Sequence, residues 1–205
     1  MHKVIGLTGA TGSGKSTAAL TAKAWGCYVI DADQVAREAL AKGSACLKAL
    51  AEVFGQDILN EDGTCRRRVL AQRAFADKQQ TERLNRLTHP WIIRRIEEYI
   101  EVYRQKGDGW ILLDAPLLYE SGGDRLCDKV IAMTAPQEIR LERIQQRDGL
   151  TREEALQRMR AQPEDTFYTS RADAVIDGSQ PLAVVQHTVQ AWLDRWKTAN
   201  GADKD

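Results

Sequence analysis

The amino-acid sequence predicts an α/β fold, a five-stranded parallel sheet flanked by helices. Two observations carry that expectation. Short, nearly continuous apolar runs alternate with helical stretches, which is the pattern of strands buried on both faces. The first of these runs leads directly into a glycine-rich turn, Gly9–Thr17 (GATGSGKST), with a helical stretch behind it.

The elements follow in order. Val4–Thr8 is the first strand and Ser16–Trp25 the first helix; Cys27–Ile30 is the second strand, and a helix begins at Asp33–Leu40. Much later come the strands Trp110–Leu113 and Val130–Met133, then a short fifth strand at Ala174–Ile176. Pro90 sits where a first helical turn tolerates proline, so a helix is expected to open there, with Ile92, Ile96, Tyr99, Ile100 and Tyr103 as its apolar face. Thr151 and Glu154 have capping-box spacing. Pro181 opens a last helix whose stripe, Val185, Val189, Trp192, Leu193 and Trp196, reads as core packing. The polar tail from Asn200 to Asp205 is expected to fray.

Between the second strand and Trp110 lie about eighty residues with helical patterning, too many for a simple crossover. They predict a helical subdomain, approximately 43–106, inserted into a single domain spanning 1–205. A length of 205 residues suits one domain with a sizeable insertion. The formal net charge of zero argues against a protein that grips nucleic acid by bulk electrostatics. No apolar run approaches a membrane span and no signal-peptide pattern precedes the first strand, so a cytoplasmic protein is expected. Cys27, Cys46, Cys65 and Cys127 form no CxxC pair, and His2, His89 and His187 are scattered; reduced structural thiols are the expectation, not a metal site.

The glycine-rich turn fits G-x-x-x-x-G-K-[ST] with a strand before it and a helix after it, which identifies a P-loop NTPase fold and a nucleoside triphosphate site. Backbone N–H groups of such a turn surround phosphate oxygens, aided by the helix dipole. Thr11, Gly12, Ser13, Gly14, Lys15, Ser16 and Thr17 are therefore the expected nucleotide-binding residues, with Lys15 on the outer phosphates and the Ser16 hydroxyl on Mg2+. No N-K-x-D base-reading motif of a GTPase and no L-S-G-G-Q segment of a transporter ATPase occurs, which leaves a small-molecule kinase as the natural candidate.

A kinase needs a carboxylate to orient and deprotonate the acceptor hydroxyl. In an open parallel sheet, ligands collect at the carboxyl edge of the strands, where the residues after the second and third strands emerge with the phosphate loop. Asp33 is the candidate, with Asp31 its rival and helix N-capping its structural alternative. Asp114, ending the third strand, would hold Mg2+ through water as a Walker-B aspartate does, or bind substrate. Arg140, Arg143 and Arg147 share one helix face. Such a row is either solvated surface or, after the fourth strand of a P-loop kinase, a lid over the phosphates, here approximately 137–162.

Together these residues resemble the dephospho-CoA kinases over nearly the whole chain. The resemblance rests on GLTGATGSGKST, VIDADQVAR (Val29–Arg37), DGTCRRRVL, LTHPWI, LLDAPLLYESG and RIQQRDGLTREEALQRMRAQ. Arg143, Arg147, Arg158 and Gln162 stand on matching positions. The chain departs from the family pattern in Ala10-Thr11, where Gly-Ile is usual, and in Gly178-Ser179, where Asn-x-Gly is common after the Asp. The resemblance implies phosphorylation of the ribose 3′-hydroxyl of 3′-dephospho-CoA by ATP, with Asp33 as catalytic carboxylate beside Lys15, Arg143 and Arg147. With the sheet-edge and helix-face readings above, the expected substrate contacts are Asp33, Arg67, His89 and Asp114 and the nucleotide contacts include Arg140, while the resemblance implies a CoA-binding role for the inserted helices; a buried histidine at a helix entry is the alternative for His89. Glu120 lies in a matching block without an implied role. A monomer or weak homo-oligomer acting on a small molecule is expected. Two rivals stay open: a related nucleotide or metabolite kinase, and a non-catalytic ATP-binding module.

Overall fold

The computed structural model describes residues 3–106 and 109–201. Five strands form one sheet: β1 (Lys3–Thr8), β2 (Tyr28–Asp31), β3 (Trp110–Asp114), β4 (Lys129–Thr134) and β5 (Ala174–Asp177), in the order β2-β3-β1-β4-β5. The sheet is parallel, with Leu7 opposite Asp114, Leu7 opposite Ile131, and Ala132 opposite Val175. The first apolar run thus becomes the central strand, and residues 4–8 of β1 are all buried. Each expected strand forms, within a residue or so at its ends.

The helices are α1 (Lys15–Trp25), α2 (Ala32–Ala39), α3 (Ala45–Phe54), α4 (Arg67–Ala74), α5 (Lys78–Arg104), α6 (Gln137–Asp148), α7 (Arg152–Arg160), α8 (Asp165–Thr169) and α9 (Leu182–Gly201). The chain divides into two compact units, one of 1–30 with 103–205 and one of 31–102.

In the first unit, Ile5, Leu7, Leu112, Ile131 and Met133 of the sheet pack with Ala18 and Ala22 of α1 and with Val185, Val189 and Leu193 of α9. The stripe expected after Pro181 is therefore core, with Trp192 and Trp196 packed at its margin. Leu141, Ile144 and Ala155 join α6 to α7, and the Thr151–Glu154 capping box forms with both of its hydrogen bonds. Of the polar tail, residues 202–205 lie outside the described residues, as does His2.

The second unit has its own core of Leu47, Leu50, Phe54, Ile58 and Leu70, against which Leu84, Leu87 and Trp91 pack. Here one expectation fails. Pro90 does not open a helix; it lies inside α5, which starts at Lys78. The Asp77 carboxylate accepts from the Gln80 N–H at 2.8 Å, an N-terminal signal well upstream of the proline. Pro90 is exposed, and the helix continues through it because Leu84, Leu87 and Trp91 hold it on both sides. His89 is accordingly mid-helix, not at a helix entry. The buried face is Ile93, Ile96 and Ile100, with Ile92, Tyr99 and Tyr103 only partly covered.

Candidate active site

The phosphate loop leaves β1 at the fully buried Thr8 and enters α1 at Lys15. Two glycines make its course possible. Gly9 has φ 134°, and a Cβ there would lie 2.2 Å from the Met133 carbonyl oxygen of β4. Gly178, just after β5, comes so near the loop that a Cβ would lie 2.0 Å from the Ser13 carbonyl oxygen. The loop is therefore clamped between the ends of β4 and β5, and Ser13 is buried beneath it. Lys15 folds back across the turn, its Nζ donating to the carbonyls of Gly9 at 2.7 Å and Ala10 at 3.1 Å. Ser16 presents an exposed hydroxyl in the first turn of α1, where the helix dipole favours an anion.

All three arginines of α6 reach this loop. Arg140 Nε donates to the Thr11 carbonyl at 3.0 Å, Arg143 Nη1 to the Gly12 carbonyl at 3.1 Å, and Arg147 Nη2 to the Thr11 hydroxyl at 3.4 Å. A merely solvated row would not converge on one backbone segment. The three differ in burial. Arg140 is buried and also paired with Asp165 at 2.8 Å, so its donors hold protein groups. Arg143 is half-buried and bridges the loop to the Gly178 carbonyl at 2.8 Å. Arg147 is exposed.

Asp148 and Asp165 shape this arrangement, and sequence reasoning passed over both. Asp148 accepts from Arg147 Nε and Nη2, each at 2.8 Å, and from Arg158 Nη1 at 2.6 Å. The hydrogen bonds from Arg147 hold its carboxyl below the usual carboxylate range. The signal available was the Arg147-Asp148 pair at the end of a helix, where an acidic residue is unfavourable unless a cation meets it. Gln162, noted only for its position, accepts from the Thr11 N–H at 2.8 Å through Oε1.

The candidate carboxylates separate by environment. Asp114 ends β3, beside β1, with Oδ1 shielded from solvent. Asp31 is the N-cap of α2, its Oδ1 accepting from the Asp33 N–H at 2.9 Å and the Gln34 N–H at 3.1 Å. The capping role weighed for Asp33 thus belongs to its rival, and the Asp33 carboxylate is exposed in the first turn. Later on α2, Glu38 accepts from Arg95 at 3.0 Å and from the Tyr99 hydroxyl at 2.7 Å, which anchors the helix to α5.

Arg67 is the exposed first residue of α4, presented by a turn in which Leu59 bridges Cys65. Burial lowers the proton affinity of the half-buried His89. Burial likewise raises that of Glu120. Among the described residues no cluster of three or more His, Cys, Asp or Glu side chains has metal-binding geometry. Ser16 and Asp114 offer the sparse hard-oxygen set suited to an ion that takes its remaining ligands from phosphates and water.

The dephospho-CoA kinase family model matches residues 3–183. The chain belongs to the dephospho-CoA kinase family. It is similar to the dephospho-CoA kinase of Corynebacterium diphtheriae, with 41% identity over 196 residues, 96% of this chain and 98% of that one. Among solved structures it is similar to a Thermus thermophilus protein, with a TM-score of 0.79 at 32% identity, covering 95% of this chain and 98% of that one. The dephospho-CoA kinase of Campylobacter jejuni gives a TM-score of 0.72 at 27% identity, covering 98% of this chain and 100% of that one. Family membership accords with the P-loop kinase fold; Gly178, where the chain departs from the family pattern, packs against the loop itself.

Proposed function

We propose that the chain transfers the γ-phosphoryl group of ATP to the 3′-hydroxyl of 3′-dephospho-CoA, giving coenzyme A and ADP. The observation that carries this reading is the convergence of the α6 arginines on a phosphate loop in a member of this family. A nucleotide sensor has no need of that cationic row.

The loop from Thr11 to Thr17 cradles the phosphates, and Lys15 exchanges its loop carbonyls for the outer phosphate oxygens. Asp33, free of capping, orients the ribose hydroxyl and takes its proton. Arg143 and Arg147 face the charge spread over the transferring group, and a planar guanidinium suits several phosphate oxygens at once. Arg140 serves from beneath, keeping the loop in shape for the nucleotide. Ser16, and Asp114 through water, would hold Mg2+, which would supply neutralisation of charge on the phosphate oxygens.

Arg67 and His89 belong to the acceptor side, within an inserted subdomain of approximately 43–106 that receives the CoA portion, and residues 137–162 act as the lid. The acceptor is a small molecule and neither nucleic acid nor membrane takes part; among the described residues no helix is long and apolar enough to cross a membrane. A cytoplasmic monomer or weak homo-oligomer fits this role.

The test is direct. Purified protein with Mg-ATP and dephospho-CoA should yield a product heavier by one phosphate, with CoA identified by mass and ADP formed in equal amount. AMP, dTMP and shikimate run in parallel should give none; phosphorylation of one of these in place of dephospho-CoA would overturn the proposal.

A further inference from the structure

Thr11, at the crest of the phosphate loop, is held from three directions. Its N–H donates to Gln162 Oε1 at 2.8 Å, its carbonyl accepts from Arg140 at 3.0 Å, and its hydroxyl accepts from Arg147 at 3.4 Å. The first contact carries a further consequence. A peptide group is planar, so the Thr11 N–H and the Ala10 carbonyl move as one unit. That Ala10 carbonyl accepts from Lys15 Nζ at 3.1 Å and from the Ser13 N–H at 3.3 Å. Whatever fixes the Thr11 N–H therefore also aims one of the two carbonyls that seat the lysine.

We propose that Gln162 is a positioning residue for the nucleotide site, fixing the Ala10–Thr11 peptide plane and through it the resting position of Lys15. The local sequence supports the role. α7 stops at Arg160, and Pro163 disfavours helical backbone at Gln162, so this side chain lies in the connection to α8. Asp165, in the first turn of α8, binds Arg140, so the same short connection also braces the next peptide of the loop. An open cleft of about 990 Å³ lined in part by Arg140, Gln162 and Asp165 borders the contact. Gln162 does not touch the reacting atoms; it acts through the loop.

The inference rests on the loop being an ATP site, and its test does not require turnover. Gln162→Met keeps the side-chain volume and removes the acceptor; Gln162→Glu keeps an acceptor oxygen. Amide hydrogen exchange at Thr11 should quicken about tenfold or more in Gln162→Met, the scale of losing one hydrogen bond in a locally opening segment. Exchange in β1 and β4 should stay unchanged, and Gln162→Glu should restore the protection at Thr11. The dissociation constant for ATP, measured without acceptor, should rise roughly three- to tenfold in Gln162→Met. Should Gln162→Met fail to fold, Gln162→Asn, one methylene too short to reach, takes its place with the same expectations. Parent-like exchange at Thr11 in the acceptor-free variant, or an unchanged ATP dissociation constant, overturns the proposal. Absence of CoA formation by the parent protein would overturn the assigned reaction and leave the exchange result to decide Gln162.

Discussion

Arg147 and Arg158 share one carboxylate: Asp148 accepts from Arg147 at 2.8 Å through both of its oxygens and from Arg158 at 2.6 Å. Two guanidinium groups brought this close repel each other, and the carboxylate between them makes the pairing favourable. Arg147 is also the outermost of the α6 arginines that meet the phosphate loop. The carboxylate therefore ties the proposed phosphate clamp, Arg147, to Arg158 of α7.

Asp148→Asn keeps the shape and removes the charge. Its kcat/KM for ATP is expected to fall roughly two- to fivefold, the scale of a lost ion pair at an exposed site. The deficit should shrink at high ionic strength, because exposed charges are screened there. Steady-state kinetics at two salt concentrations check both points. A variant with parent kinetics at low salt would show that the bridge has no catalytic consequence.

Gly178→Ala tests the packing of the loop against β5. The added Cβ would fall 2.0 Å from a backbone oxygen of Ser13, which moves only if the loop moves. An overpacked site of this kind costs about 1–3 kcal/mol, or about 2–10 °C in thermal midpoint for a chain of this size. The dissociation constant for ATP should rise about tenfold or more, since the displaced carbonyl belongs to the phosphate loop. Calorimetry of unfolding and of ATP binding measures the two effects separately.

The strands were legible because β1, β3 and β4 are unbroken apolar runs, and burial on both faces permits little else. The phosphate loop was legible for a different reason: its glycines are demanded by close backbone approach, so the chemistry is written in residue types. Pro90 misled because proline is a local signal, whereas α5 persists through it on the strength of packing at Leu84, Leu87 and Trp91. Arg140 and Arg147 look alike in sequence, yet one is buried on Asp165 and the other is exposed. That distinction depends on α8, a partner distant in the chain. Gln162 was hard to weigh for the same reason, since its partner is a backbone N–H far away in the chain.

His89 gives a pH dependence whose sign is set by burial. Its folded form resists protonation relative to an exposed histidine, so the unfolded chain takes up the proton first as pH falls. The stability it contributes is fully present above the ordinary histidine range and is lost as pH drops through that range toward the lowered folded value. His89→Gln should therefore flatten the decline in thermal midpoint between about pH 8 and about pH 5.5. The quantity to compare is the difference between the two proteins at each pH, because carboxylates contribute to both. A variant whose midpoint falls in parallel with the parent would show that His89 does not drive the decline.

Asp31 and Asp33 stand two residues apart, and opposite responses are expected from them. Asp31 caps α2 through its side chain, and asparagine caps almost as well as aspartate, so Asp31→Asn should leave stability nearly unchanged. Asp31→Ala removes the cap and should cost about 1 kcal/mol, seen as a lowered thermal midpoint. Asp33 has no such task, so Asp33→Asn should be thermally silent while turnover falls roughly 10²–10⁴-fold, the range for losing a general base. ATP affinity should be nearly retained in Asp33→Asn, because the lost interaction concerns the acceptor proton and not the donor phosphates. Thermal melts, ATP titrations and turnover of the three variants form one set. If Asp31→Asn loses turnover while Asp33→Asn keeps it, the catalytic carboxylate is Asp31, and the side chain that caps the helix in this structure must also serve the acceptor.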